Sequence, residues 1–333
     1  MARLSGRPLL DTRADAALFV DRTPELDRLR QAVDEGLNVL ISGVRGLGKT
    51  TLLRQFAYRA REAGREVAVL DATALADPAA LLHAVARLLG DPTAADGPLS
   101  AAELIAVIAE TVTEHQPEDP PGGIGPGRAL AVDGVAPAVA QAVFGQLRDE
   151  VWRLPLTWLV SCAEVDEPAF LRPPADAFFD ITLRLPALSD DDVRDLLRRR
   201  ATADELGNDA VTEVVGLAAG NPRRAIDLAR HLLLAPNGQA DDTVGSVRDR
   251  LLDREQAVGR LGTPARMLLA ELEASGGASA SDERLLERLG WTRARAAQVL
   301  GQLEREGLVE ATDEQRPAGR PRRVYRSKDW LTA

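Results

Sequence analysis

The chain has 333 residues, 45% of them hydrophobic, with a formal net charge of −10 and a pI near 5. That length and composition call for two or three domains with real cores, and they exclude a disordered chain and a globally basic nucleic-acid binder while leaving room for a local basic module. A single cysteine, Cys162, excludes an internal disulfide and fits a reducing, cytoplasmic setting, where it reads as a small buried residue without chemistry.

In chain order, residues 1–15 carry arginines and aspartates but no sustained apolar core, so they do not read as a secretory signal. The run 38–42 (Asn-Val-Leu-Ile-Ser) is a short apolar strand, and 50–60 places Leu52, Leu53, Phe56, Ala57 and Ala60 at helical spacing. A second buried strand covers 66–70 and ends at Asp71; helical patterns follow at 78–89 and 100–113. Residues 116–127 hold four prolines and four glycines and read as an irregular loop. Further strands are expected at 129–133, 156–161 and 180–185. The most apolar stretch, 154–163, is too short for a bilayer and contains Pro155. Strands alternating with helices imply an α/β fold with a five-stranded parallel sheet, and a ligand site at the carboxyl ends of its strands.

From residue 189 onward helices dominate, at 190–200, 209–219 and 222–234, the last opened by Asn221 as N-cap and Pro222 at the first helical position. Residues 235–245 read as a linker. A terminal module begins at Thr263-Pro264, read as another N-cap and first-turn proline, and continues with helices at 281–289 and 292–306, each closed by a glycine. Strands at 308–311 and 323–327 flank the loop 313–322, giving a winged helix-turn-helix pattern. The expected domains are therefore a nucleotide-binding core over 1–186, a helical lid over 187–235, a linker and connecting helix over 236–262, and a winged helix over 263–333.

The strand-to-helix junction carries the chemistry. Gly43-Val44-Arg45-Gly46-Leu47-Gly48-Lys49-Thr50-Thr51 matches the P-loop pattern, whose glycines let backbone N–H groups surround phosphate oxygens while the lysine reaches the terminal phosphates and the next hydroxyl ligates Mg2+. Lys49 is one of only two lysines in the chain. The helix N-terminus adds unpaired N–H groups and its dipole to the same anion site. Asp133 closes a buried strand and is the expected second magnesium ligand beside Thr50. Gly134 follows it, where many P-loop ATPases place a glutamate that activates water, a contribution typically worth roughly 10² to 10⁴ in rate. The expectation is tight binding of ATP or ADP with slow hydrolysis.

Residues 19–29 (Phe-Val-Asp-Arg-Thr-Pro-Glu-Leu-Asp-Arg-Leu) together with this loop resemble the AAA+ and STAND-type ATPases, in particular the archaeal-type STAND ATPases and the Orc/Cdc6-like initiators. Residues 185–189 are similar to the segment leading into their helical lid, 220–226 to their sensor-2 element, and the terminal winged helix is shared with that group. The resemblance runs from about residue 18 to residue 328. It implies adenine-side contacts from Val20 and Arg22, a γ-phosphate sensor at Ser161, and a lid arginine at Arg223, with Arg224 as its near competitor. It also places Arg172 in a region where an arginine finger facing a neighbouring copy occurs, which implies a homo-oligomer. Gly134 departs from the family's acidic residue.

On the helix 292–306, Ala296, Val299, Leu300 and Leu303 line one face, while Arg295, Gln298, Gln302 and Arg305 lie on another. Such a polar, acid-free stripe suits a DNA major groove. The wing adds Arg316, Arg320, Arg322, Arg323 and Arg326. Residues 288–328 hold ten basic and five acidic side chains, a net of +5 against −15 for the remainder. DNA contact by Arg293, Arg295, Gln298, Arg320, Arg322 and Arg323 is the leading expectation. The alternatives are a nucleotide-dependent signalling or assembly scaffold whose winged helix grips protein, and an ATPase motor assembled through Arg172.

Overall fold

The computed structural model describes residues 4–75, 77–90, 99–114, 128–234, 249, 253–254, 256–314 and 322–328; the predicted loop at 116–127 and linker at 235–245 lie outside them. The chain divides into two compact units, Arg7–Arg200 and Met1–Gly6 with Ala201–Ala333.

The first unit is a five-stranded parallel sheet in the order β2-β3-β4-β1-β5, built from β1 (Val39–Ser42), β2 (Val67–Asp71), β3 (Arg128–Asp133), β4 (Leu156–Ser161) and β5 (Ile181–Arg184). Side chains alternate along each strand. Val39, Ile41, Val67, Ala129, Ala131 and Leu159 point to one face, where they pack with α1 (Thr23–Glu35) and α2 (Lys49–Glu62) through Leu29, Leu52, Leu53 and Phe56. Leu40, Leu130, Val132, Trp158 and Val160 point to the other, against α3 (Pro78–Leu89) and α4 (Ala101–Glu114). Continuing the alternation by one residue at the carboxyl ends puts Asp71, Asp133 and Ser161 on the α2 face.

Between β3 and β4, where the sequence suggests no helix, the chain forms one from Pro137–Ala140, Gln141–Gln146 in π geometry, and Arg148–Val151. Its weak signal has a physical reason: Gly145 lies on the side where a Cβ would be 3.2 Å from Pro174 and 3.3 Å from the Ala175 nitrogen, so close packing, not helix propensity, selects the residue. Phe144 from this helix stacks on Phe178 at 4.8 Å between centroids and meets Trp158 edge-on at 5.4 Å.

In the second unit, α6 (Asn208–Ala218) ends at Ala219 and Gly220, both left-handed, and Asn221 then caps α7 (Pro222–Leu234) by accepting from the Arg223 and Arg224 N–H groups. The preceding helix, α5 (Asp190–Arg198), belongs to the first unit and opens with a reciprocal Ser189/Asp192 capping box. Three helices, α8 (Thr263–Ser275), α9 (Glu283–Leu289) and α10 (Arg293–Arg305), then pack with the antiparallel pair β6 (Val309–Glu314) and β7 (Arg322–Ser327) around Leu268, Leu272, Leu285, Leu300, Leu303 and Leu308. One cap and one helix start differ from expectation. Gly262, not Thr263, caps α8, which leaves Thr263 as the first helical residue, and α9 starts after Asp282. Among the described residues no helix is long and apolar enough to cross a membrane.

Because Phe144 is fully buried against three aromatic rings, Trp158, Phe178 and Phe179, Phe144→Ala is expected to destabilise the protein by about 3–5 kcal/mol, read as a lowered denaturation midpoint with an unchanged slope.

Candidate functional site

The turn between β1 and α2 has the backbone that its glycines predict. Gly46 and Gly48 adopt φ of +91° and +96°, conformations that L side chains rarely take, and a Cβ on Gly43 would meet Leu185 at 3.2 Å. Gly48 is the N-cap of α2 and offers no side chain to its first-turn N–H groups, which leaves those donors for an anion. Lys49 Nζ donates to the carbonyls of Gly43 at 2.6 Å and Val44 at 3.3 Å, so the ammonium lies over the loop. Burial lowers the affinity of Lys49 for its proton, and Asp133 and Glu164 pull it back up. Cys162, whose thiol burial pushes up to about 12, is protonated at neutral pH and lends Lys49 no charge.

Thr50, the second residue of α2, donates its hydroxyl to Asp133 Oδ2 at 2.6 Å. Ser161 donates to the other oxygen, Oδ1, and accepts from the Gly134 N–H at 3.2 Å. One carboxylate thus joins α2, β3 and β4, and the predicted magnesium pair and γ-phosphate sensor form a single cluster. A hydroxyl and a carboxylate oxygen at this separation are a hard-oxygen pair of the kind Mg2+ takes, with the phosphate donors alongside. Thr51 is differently engaged: its hydroxyl accepts from the Leu9 N–H at 3.4 Å, and Gln55 donates to the Leu10 carbonyl at 2.8 Å, so the N-terminal segment is strapped to α2. Arg45 and Leu47 complete the loop, and Val44 is half exposed at its tip.

Two buried polar struts brace the loop from outside, and the sequence pattern does not announce either. Arg22, expected at the base of a nucleotide, is 6% exposed; its guanidinium donates to the carbonyls of Leu47 at 3.3 Å and Pro186 at 2.8 Å and pairs with Glu25. Asp21 and Arg22 both have positive φ, a strained geometry for residues with a Cβ, and Val20 beside them is buried. The same segment is gripped from the end of α5, where Arg199 donates to the Phe19 carbonyl at 2.6 Å and Arg200 to that of Leu18 at 2.8 Å. Burial, with Arg199 adding repulsion against an opposing pull from Asp15, brings Arg200 down to about 10.

The second strut is Glu167. It accepts from the Ser42 hydroxyl at the end of β1 and from Arg184 Nε at 2.8 Å at the end of β5, residues that are register partners. Burial alone would raise the Glu167 carboxyl, but the hydrogen bonds from Arg184 and Ser42 outweigh it and hold the group below its usual range.

Other predicted positions are dispersed. Arg223 is exposed and Arg224 half-buried in the first turn of α7, in the second unit. Arg172 is exposed, and its carbonyl accepts from Gln141 at 2.9 Å. On α10, Arg293, Arg295 and Gln298 are all exposed; Arg295 stacks over Trp291 at 5.1 Å, and Thr292 caps the helix. The β6–β7 pair differs from a free basic patch. Arg322 pairs with Asp282 at 2.8 Å and donates to Ser279 Oγ at 2.6 Å, Arg323 pairs with Glu304 at 2.6 Å, and Arg326 pairs with Glu314. The β6–β7 register adds further acidic neighbours, since it sets Glu310 opposite Arg326, Asp313 opposite Arg323 and Glu314 opposite Arg322. Arg316 and Arg320 lie outside the described residues.

Residues 33–150 match the AAA domain family. Over nearly the whole chain the fold is similar to that of the Aeropyrum pernix Orc1 protein, solved in complex with DNA, at 19% identity and a TM-score of 0.55, covering 93% of this chain and 89% of that one. It is likewise similar to Cdc6p from Pyrobaculum aerophilum, at 13% identity and a TM-score of 0.53, covering 95% and 94%. No curated protein matches the sequence. Together with the sheet order and the loop, these likenesses give the α/β P-loop NTPase fold.

Replacing Glu167 with glutamine should destabilise the protein by about 1–3 kcal/mol at neutral pH, because a buried charged acceptor loses its charge-assisted bonds. Since the folded-state value is depressed, that contribution is present above the ordinary 4.5 and is lost as pH falls through the folded value. Denaturation of wild type and Glu167→Gln should therefore converge on acidification.

Proposed function

We propose that this protein is a nucleotide switch: it binds ATP or ADP with Mg2+ at the β1–α2 loop, hydrolyses ATP slowly, and uses a C-terminal winged helix to bind DNA. The observation that carries the reading is the Thr50–Asp133–Ser161 cluster beside Lys49, which gathers a magnesium-type oxygen pair, a hydroxyl on the next strand and a phosphate-seeking ammonium at one sheet end. In this reading Gly43, Gly46, Gly48 and the first turn of α2 hold phosphate oxygens through N–H groups, and Lys49 leaves the loop carbonyls for the terminal phosphates. Bound magnesium supplies charge neutralisation at the phosphates. Val20 and the backbone beside Arg22 form the base side, with the Arg22 guanidinium serving as a strut.

The output half of the proposal assigns residues 187–235, with α5, α6 and α7, to a lid whose Arg223 senses the terminal phosphate, and α8–α10 with β6 and β7 to the winged helix. A ligand shifts such an equilibrium only by its differential contacts with the two states. The nucleotide-dependent contacts of Ser161 and Arg223 would be those contacts here. DNA as partner is supported by the exposed Arg293, Arg295 and Gln298 on α10 and by the likeness in fold to an Orc1 protein solved on DNA. A second reading, a nucleotide-dependent scaffold that grips protein, is favoured by the ion pairing of Arg322, Arg323 and Arg326. Self-association through the exposed Arg172 is compatible with both.

Calorimetry with Lys49→Ala tests the first half: loss of a charge-assisted phosphate contact, about 1.5–3 kcal/mol, should weaken ATP binding by about 10- to 100-fold, and an unchanged affinity would sink the assignment. DNA affinity measured against salt tests the second. The DNA reading requires log K to fall with log salt by about 0.9 per phosphate contacted, and the double change Arg293→Ala/Arg295→Ala to reduce that slope by about 2. A flat response favours the scaffold.

A further inference from the structure

We infer that Asp71, at the end of β2, supplies the carboxylate that position 134 lacks and receives the proton of the water that attacks a bound nucleoside triphosphate. The inference rests on the nucleotide-binding reading above and deepens it.

The first observation is that Gly134 is not simply a missing glutamate. Its φ of +74° lies in the left-handed region, and a Cβ there would be 2.7 Å from Thr73 Oγ1 and 3.5 Å from the Thr73 Cα. A side chain at 134 would therefore collide with the Thr73 hydroxyl and strain a left-handed backbone, while the Thr73 Cα stays at ordinary contact distance. The space next to Asp133 belongs to β2.

The second is what β2 brings there. Asp71 is the register partner of Asp133 and, by strand alternation, shares the α2 face with it and with Ser161. Thr73 directs two donors to one oxygen of Asp71: its hydroxyl reaches Oδ1 at 2.5 Å and its N–H reaches the same atom at 3.0 Å. Oδ2 has no hydrogen-bond partner among the described residues, and the residue is exposed. The Thr73 hydroxyl that blocks position 134 is thus the group that orients Asp71. Its hydrogen bonds, with a contribution from Arg54, keep the carboxylate below its usual range and hence ionised at neutral pH.

The third is elimination. Both oxygens of Asp133 are engaged, by Thr50 and Ser161. Glu164 follows β4 on the side of β1, with its N–H on the Gly43 carbonyl at 3.2 Å, and its charge acts on Lys49 and Arg184. Among the described residues Asp71 is the carboxylate that combines an unengaged oxygen with a place beside Asp133 in the sheet register, whereas Glu164 is tied through its backbone to the Gly43 carbonyl. In the proposed step the water oxygen bonds to the terminal phosphorus while the bond from that phosphorus to the bridging oxygen breaks. The bridging oxygen keeps the electron pair and leaves on the diphosphate, and the water proton passes to Asp71 Oδ2 and from there to released phosphate or solvent.

The test compares full-length wild type, Asp71→Asn, Asp71→Glu and Thr73→Val. Calorimetry with Mg2+ and ADP, then with ADP plus aluminium fluoride as a mimic of the phosphoryl group in transfer, is paired with single-turnover hydrolysis of ATP. Asp71→Asn should bind ADP as wild type does, lose at least tenfold of the fluoride-dependent tightening, and hydrolyse ATP roughly 10²- to 10⁴-fold more slowly. Asp71→Glu should recover part of both, and Thr73→Val, which keeps the carboxylate but frees its orientation, should lose part of both; these two also decide the matter if Asp71→Asn does not fold. Wild-type turnover and tightening in Asp71→Asn, or neither property in a wild type that binds ADP, overturns the assignment to Asp71 while sparing the nucleotide site. A wild type that binds no ADP overturns the nucleotide reading, and this inference with it.

Discussion

The hydrogen bond from Thr50 to Asp133 fixes the geometry on which the candidate site depends, because it ties the start of α2 to the end of β3 at the level where Ser161 arrives from β4. None of the three residues is placed by its own preference. Asp133 and Ser161 face α2 because strand alternation leaves no other direction for them, given that Ala131 and Leu159 two residues earlier are buried on that face. Alanines at 129 and 131 let α2 approach closely. The first-turn N–H groups of α2 are left for an anion, but the two polar side chains of the loop already have protein partners: Lys49 rests on the Gly43 and Val44 carbonyls and Thr50 on Asp133. Nucleotide binding at this loop is then an exchange of hydrogen bonds, and its net energy is the difference between two satisfied states.

Such a loop holds its shape only if its surroundings do. Arg22 and Glu167 supply that constraint from opposite sides, the first through the Leu47 and Pro186 carbonyls, the second through Ser42 and Arg184. Arg22 reaches both carbonyls from a left-handed backbone, preceded by another left-handed residue, Asp21. That conformation costs of order 1–3 kcal/mol per residue. The surrounding bonds offset it: Arg199 and Arg200 clamp the carbonyls of Phe19 and Leu18 just upstream. Pro186 follows β5 and precedes α5, so a single guanidinium links the phosphate loop to the way out of the sheet. A change in loop conformation would reach the chain leaving β5 through that one side chain.

Much of this was legible in the sequence. The glycine-lysine loop, the five strands and the carboxylate at the end of β3 follow from composition and alternation, and Asn221-Pro222 announces α7. What stayed hidden depends on contacts between distant segments. Gly134 reads as the absence of a glutamate, whereas its reason is the Thr73 hydroxyl on the neighbouring strand's turn. Arg22 reads as a ligand contact because residues 19–29 resemble the segment that opens the AAA+ and STAND-type ATPases, and nothing local says that it will be buried. The helix between β3 and β4 escapes notice because it is assembled from pieces, including a π-helical stretch, around Phe144 and a glycine chosen for packing. Period and propensity describe single elements; these residues are selected by pairs of them.

The C-terminal module makes the same point about charge. Counting residues 288–328 gives a net of +5, which suggests a field suited to phosphates. Register changes its meaning. β6 carries Glu310, Asp313 and Glu314 opposite β7, which carries Arg322, Arg323 and Arg326, and Asp282 and Glu304 from the helical side neutralise two of those arginines again. Paired guanidinium groups have little to gain from a further anion, since each must give up one partner to take another. The N-terminal half of α10 differs. Arg293 and Arg295 project there without a carboxylate partner among the described residues, and the helix dipole places its positive end in the same turn. If the module meets nucleic acid, electrostatics therefore centres the contact on α10 and leaves the β6–β7 pair a bracing role, which is a different surface from the one the bare charge count suggests.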